Sequence, residues 1–166
     1  MKVFFGFYLV LLLGVFGLWA IQPLRAAQEE FAHMVKEEIY AQINALRFMA
    51  HVALLTEDDT LTAVAHTHSL EMLSQKYFSH RDSAGCDSAC RLHVVGYHAL
   101  STGENIYVTH EYSDTPEDIA QALIAQWVQN PKQKENLLNP SFTHTGIGVI
   151  ARAGVLYVTE DFADKN

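Results

Sequence analysis

The order in which helical and strand patterns follow one another limits the folds open to this chain more than any other feature. Apolar residues recur at helical spacing over residues 29–49, and again from about 59 to 76. Runs typical of strands come later, at 104–108, 146–150 and 155–159. Helices first and strands late predict an α+β domain whose small sheet is covered by helices.

The connecting segments fit the same organisation. Thr115-Pro116 begins another helix, because proline suits the first helical position, and Asn130-Pro131 ends it. Shorter features are a helix near 90–95, a helix or turn at 132–138 and a hairpin turn at 152–154. The chain has 166 residues, 49% of them apolar, which is enough for one domain with a real core.

The amino-terminal segment predicts export. Lys2 precedes nineteen uncharged residues, Val3–Ile21, a length that favours a membrane anchor, whereas the small pair Ala26-Ala27 favours cleavage. We therefore expect residues 1–27 to be a signal peptide or an N-terminal anchor, and residues 28–166 to form the domain. With one charge before the apolar run, the domain is expected to be secreted, periplasmic or held on the outer side of the cytoplasmic membrane.

The charge of the chain argues against partners that are themselves strongly negative. The formal net charge is −8, and removing the leader's Lys2 and Arg25 subtracts two positive charges to leave −10. Nucleic acids and anionic membrane surfaces are bound through clustered Lys and Arg, so neither is expected as a partner.

The two cysteines lie in one short polar loop. Cys86 and Cys90 form an even pair in a compartment expected to be oxidising, which favours a local disulfide. The alternative is a zinc site that adds His93, although this spacing offers no obvious fourth ligand.

Glu104 is the residue most in need of a partner. It stands directly after Gly103 at the start of a strand that enters the core, where an unpaired carboxylate would be costly. His80, which ends the second helix, is the best candidate to face it. Such a pair can bind a divalent metal, polarise a water or hold two elements together. Near the end of the chain, residues 159–162 predict a strand end with one exposed acid.

The sequence lacks a local signature for nucleophilic catalysis. It contains no Gly-x-Ser-x-Gly, no His-Glu-x-x-His and no isolated cysteine. His68 lies on the apolar stripe of the second helix, so it is expected in the core, although it is a possible additional cavity residue.

Several segments together resemble the bacterial branch of the CAP superfamily, also called the SCP domain. They are Ala65-His66-Thr67-His68-Ser69-Leu70-Glu71-Met72, Tyr77-Phe78-Ser79-His80, Gly103-Glu104-Asn105-Ile106, Trp127 with Asn130-Pro131, Asn136-Leu137-Leu138-Asn139-Pro140, and Phe142-Thr143-His144-Thr145-Gly146-Ile147-Gly148. The resemblance spans about residues 39–163. It implies a three-layer α-β-α sandwich with a small antiparallel sheet between helices.

The resemblance also implies a cavity lined in many members by two His and two Glu, which in some members hold zinc. By motif, one His falls on His80 and one Glu on Glu104. The other two positions fall on Gln133, thirteen residues before Gly146, and on Asn130. Amides are poor zinc ligands, so His80 and Glu104 are at most weak metal candidates, and no cofactor is expected to be required.

These observations lead to one expectation and two alternatives. We expect a non-catalytic binding module for a small-molecule, lipid-like or peptide ligand, with a cavity lined by His80, Glu104, Gln133, Asn130 and His68. A hydrolase or peptidase using His80 and Glu104 is the first alternative. The second is an interaction protein of the cell envelope, held by residues 3–21.

Overall fold

The structure, a computed structural model, describes the backbone of residues 5–110 and 115–164 and the side chains of residues 22–110 and 115–164. Within these ranges the elements in chain order are α1 Phe5–Met49, β1 Thr56–Glu57, α2 Asp59–Gln75, α3 Ser88–Val94, β2 Thr102–His110, α4 Pro116–Gln129, α5 Pro131–Leu138, β3 His144–Arg152 and β4 Val155–Ala163.

The described strands form one sheet in the order β1-β3-β4-β2. The short β1 pairs parallel to β3, and the other pairings are antiparallel. Asp161 on β4 stands opposite Glu104 on β2 and opposite Gly146 on β3. Because directly opposed residues of antiparallel strands share a face, Glu104 and Asp161 point to the same side of the sheet.

Helices cover both faces of this sheet. The larger core joins α1, α4 and α5 to one face through buried residues such as Ile39, Trp127 and Val158. On the other face α2 and α3 pack through Leu61 and Leu92. The predicted α+β class and the three-layer sandwich are therefore confirmed.

Two glycines of β3 allow α2 to lie close against the sheet. A Cβ added at Gly146 would stand 2.1 Å from the backbone nitrogen of Thr62, and one added at Gly148 would stand 2.1 Å from that of His66. Neither position has room for any side chain. The Gly-x-Gly spacing thus sets how closely the second helix approaches the face that carries Glu104.

The observed elements differ from the predicted ones mainly in length. The first helix begins at Phe5 rather than at 29, and Pro23 lies inside it. The strand β1 was not predicted, because two residues are too few to show a period. Within the side chains described, no helix is long and apolar enough to cross a membrane. The side chains of residues 3–21, the predicted signal or anchor, lie outside that set.

The prediction of one exposed acid at the end of the last strand is wrong. Glu160 and Asp161 are both fully buried. Alternation exposes one face only when that face meets water, and here helices cover both. Burial raises the pKa of Glu160 to about 8, although a hydrogen bond from Thr145 and the charge of the buried Arg47 oppose the shift.

Candidate functional site

Glu104 lies at the centre of a group of charged side chains on the α2 face of the sheet. Its side chain is 4% exposed. One carboxylate oxygen, Oε1, lies 2.6 Å from Nδ1 of His80. The other, Oε2, accepts a hydrogen bond from the Arg91 guanidinium. Both oxygens are therefore occupied, one by an imidazole and one by a permanent cation.

The loop after α2 and the short helix α3 bring these partners to Glu104. Lys76 closes α2 in the left-handed conformation, and the chain then turns so that His80 faces β2. Arg91 lies on α3, just after the disulfide that the structure forms between Cys86 and Cys90. Its Nη1 donates to the carbonyl oxygens of Cys86 at 3.0 Å and His80 at 3.2 Å. Arg91 therefore links the loop of residues 80–86 to Glu104.

His68 stands behind the pair as a fully buried residue of α2. Its Nε2 lies 2.9 Å from the carbonyl oxygen of Ser79, to which it donates as a neutral ring, and 4.0 Å from Oε2 of Glu104. Burial, and next the charge of Arg91, lower the pKa of His68. A neutral His68 is what this environment favours.

Asp161 is the second buried carboxyl group of the cluster. Burial, and next the charge of Glu104, raise the pKa of Asp161 to about 7. The hydroxyl of Ser88 donates to its Oδ1 at 2.5 Å and opposes that shift, as do the charges of Arg91 and His80. The carboxyl groups of Glu104 and Asp161 therefore share one face of the sheet with the guanidinium of Arg91 and the exposed ring of His80.

Sequence reasoning missed Arg91 and Asp161. Arg91 belongs to the polar segment before β2, where it follows Cys90 directly, and that position beside a closed loop was the available signal. That signal places Arg91 beside the disulfide loop, but it does not indicate that the guanidinium reaches the carboxylate of Glu104, thirteen residues later. The place of Asp161 beside Glu104 follows from the pairing of β4 with β2, and no local pattern gives that register.

An open groove lies on one side of the cluster. It has a volume of about 550 Å³, and its lining includes His80, Asn130 and Gln133. The His80 side chain is 56% exposed there. Nε2 of Gln133 donates to the carbonyl oxygen of Ile106 at 3.3 Å, whereas Asn130 caps α5 by accepting from the backbone N–H of Lys132.

A second, more apolar cleft lies on the other side. It has a volume of about 640 Å³ and is lined by His68 and Arg91 together with Val64, Val94 and Val95. The five predicted cavity residues are therefore not in one cavity. Three line the groove, His68 lines the cleft, and Glu104 is buried between them.

The donor set does not fit a divalent metal. Oε2 of Glu104 is held by a guanidinium whose positive charge opposes a second cation, and Nε2 of His68 is turned to a backbone carbonyl. Gln133 and Asn130 offer only neutral amides. Within residues 22–110 and 115–164, no group of three or more His, Cys, Asp or Glu side chains is arranged to hold a metal ion.

Comparison with known proteins gives relatives of the whole domain. The chain is 27% identical over 130 residues to the uncharacterized protein YkwD of Bacillus subtilis, covering 78% of this chain and 47% of that protein. It is 29% identical over 148 residues to the uncharacterized membrane protein YlbC of the same organism, covering 87% and 40%. The chain therefore spans less than half the length of these two relatives.

Solved structures share the fold. An extracellular protein containing a SCP domain from Bacillus anthracis aligns with a TM-score of 0.67 and 25% identity, over 83% of this chain and 43% of that one. An outer surface protein of Borrelia burgdorferi aligns with a TM-score of 0.69 and 21% identity, over 79% and 95%. The profile of the cysteine-rich secretory protein family, abbreviated CAP, matches residues 40–162, about three quarters of the sequence. This chain belongs to the CAP family.

Proposed function

We propose that this domain is an exported, non-catalytic binding module whose ligand lies in the groove lined by His80, Asn130 and Gln133. The observation that carries the proposal is the state of Glu104, whose two oxygens are both engaged while the His80 ring remains 56% exposed. A carboxylate held in this way orients the histidine. The groove then presents hydrogen-bonding groups to a ligand.

The lining favours a peptide among the ligand classes. Three side-chain amides, of Gln126, Asn130 and Gln133, line the groove, and they carry the same donor and acceptor types as a peptide bond. Phe78, which is exposed beside them, offers an apolar contact for a side chain. A pocket with a few directed polar groups and an aromatic wall is typical of sites that select a ligand by shape and hydrogen bonds.

Export is supported by the leader and by the relatives. One solved relative is described as extracellular and another as an outer surface protein, and the apolar run at residues 3–21 suits the same destination for this chain. An anchored form would place the groove at the cell envelope, which is where an interaction protein would act.

Hydrolysis of a bound peptide is the second candidate function. The observation in its favour is the His80–Glu104 pair, since a carboxylate on one ring nitrogen leaves the other to act as a general base. The nearest hydroxyl along the chain, on Ser79, instead accepts a hydrogen bond from the backbone N–H of Arg81 at 3.0 Å. In this candidate function a water molecule at the free ring nitrogen of His80 is the nucleophile.

Native mass spectrometry of the protein from its own envelope tests the proposal. We expect a retained peptide, together with a mass that reports the mature amino terminus. A retained lipid would instead assign the apolar cleft beside Val94 and Val95 as the binding site. Accumulation of peptide cleavage products, lost in a His80→Ala variant, would favour hydrolysis.

A titration then locates the site. Amide NMR spectra are recorded while the captured peptide is added to the wild type, to Gln133→Leu and to Gln121→Leu. Gln121 is an exposed amide of α4 outside the groove, so it is the matched control. Weakened binding in the Gln133 variant alone supports the proposal, and equal binding in all three proteins contradicts it.

A further inference from the structure

We propose that Arg91 is the built-in cation of this site: it supplies to Glu104 the positive charge that a divalent metal would otherwise supply, and the Cys86–Cys90 disulfide holds it in place. Arg91 is thus a positioning residue, acting on His80 through Glu104. Its role does not depend on which ligand fills the groove.

The geometry around Glu104 gives each carboxylate oxygen a nitrogen partner of its own. The guanidinium donates to Oε2, and the imidazole of His80 engages Oε1 at 2.6 Å. An incoming metal ion would have to compete with both partners for the carboxylate and would meet the positive charge of Arg91. An arginine keeps its charge at every physiological pH, so the site needs no metal to neutralise its carboxylate.

The disulfide controls where the guanidinium can go. Cys90 directly precedes Arg91 on α3, and its partner Cys86 offers the carbonyl oxygen that accepts from Nη1 of Arg91 at 3.0 Å. The covalent link therefore ties the residue before the arginine to the residue that binds its head group. The same Nη1 reaches the carbonyl of His80, so one side chain fixes both the acid and the loop that carries its histidine.

The two carboxyl groups on the α2 face of the sheet explain why a cation is useful at the position of Arg91. Glu104 and Asp161 stand opposite each other in register and point to the same side. The only arginine or lysine ion-paired with Glu104 among the described residues is Arg91. Removing its charge leaves Oε2 of Glu104 without its cation, beside the exposed His80 and opposite Asp161, and a carboxylate oxygen freed in this way is a ligand that a divalent cation can take.

Zinc titration calorimetry at neutral pH tests this assignment. The proteins are the wild type, Arg91→Gln, the matched control Arg91→Lys, and Arg91→Gln combined with Glu104→Gln. We expect the wild type and the lysine variant to bind zinc weakly. Arg91→Gln should bind zinc at least about tenfold more tightly, a difference of about 1.4 kcal/mol in binding free energy. The gain should vanish when Glu104 is also changed. In NMR spectra of Arg91→Gln, the added zinc should change the chemical shifts of the His80 ring nitrogens.

The disulfide is tested with Cys86→Ser/Cys90→Ser rather than by reduction, since free thiols would themselves bind zinc. This variant should gain zinc affinity in the same direction, because the arginine loses its anchor. If Arg91→Gln does not fold, Arg91→Met takes its place in the titration, because it also removes the charge and keeps an unbranched side chain of similar length.

The zinc affinities of these variants distinguish the role of Arg91 from that of the disulfide. Zinc binding in the wild type as tight as in Arg91→Gln would overturn the assignment, as would a gain that survives the loss of Glu104. A double serine variant that binds zinc like the wild type would remove the disulfide from the proposal.

Gln133→His adds an imidazole to the groove. It should raise zinc affinity little by itself and strongly when it is combined with Arg91→Gln.

Discussion

Replacing Glu104 by Gln tests whether the site is held by charge. The change keeps the shape of the side chain and removes its negative charge, leaving the guanidinium of Arg91 with two backbone carbonyls as its remaining partners. The side chains of Glu104 and Arg91 are 4% and 10% exposed, so the pair is shielded from water. Breaking a buried pair by removing one partner costs about 3–5 kcal/mol.

The lower end of that range is expected here. The carbonyls of Cys86 and His80 still accept from the guanidinium, and Asp161, relieved of the charge of Glu104, can ionise as a substitute partner. We therefore expect Glu104→Gln to lower the free energy of unfolding by about 3 kcal/mol. The assay is urea unfolding at pH 7 under oxidising conditions.

A double-mutant cycle with Arg91→Gln shows whether the cost belongs to the pair. The double variant should be less destabilised than the sum of the two single variants by about 2 kcal/mol or more. Glu57→Gln is the control, because Glu57 pairs with Lys36 at 2.5 Å but is 32% exposed, and such a pair is worth at most about 1 kcal/mol. A loss below about 1 kcal/mol in Glu104→Gln, or strictly additive losses, would refute the buried ion pair.

Three further predictions concern other parts of the domain. Because the pKa of Glu160 is raised from 4.5 to about 8, folding favours its protonated form, so the free energy of unfolding should fall as pH rises between these values; Glu160→Gln should flatten that fall in urea melts, and an unchanged slope would contradict it. Cys86 and Cys90 should resist alkylation without reductant in exported protein, and stoichiometric labelling of both would end this expectation. Gly148→Ala should cost about 3 kcal/mol or more, since its Cβ would meet the backbone of α2, and an unchanged melting temperature would show that the helix can move.

Much of the fold could be predicted because its signals are local. Thr115 and Pro116 begin a helix by a rule that needs no distant contact, and the turn at Ala153 and Gly154 is marked by the sequence itself. The two-residue strand β1 is different, since it exists through its pairing with β3. No pattern within residues 56–57 carries that information.

The site was predictable only in part, for a related reason. A buried acid at the start of a strand needs a partner, and the position of His80 at the end of the second helix makes it the best candidate. The choice of Arg91 as the second partner depends on where α3 lies over the sheet. Likewise, the division of His68 and Gln133 between two pockets depends on which side of Glu104 each helix occupies.

The position of β4 has a consequence for how the chain acquires its structure. This strand follows every other described element in sequence, yet it lies between β3 and β2 and pairs with both. Before β4 is added, β2 has no pairing partner among the described strands, and β3 can pair only with the two residues of β1. Folding of this kind rests on contacts between residues far apart in sequence, which form slowly. The arrival of β4 is therefore the step that joins β2 and β3 into one sheet and completes the surface on which the helices of both faces pack.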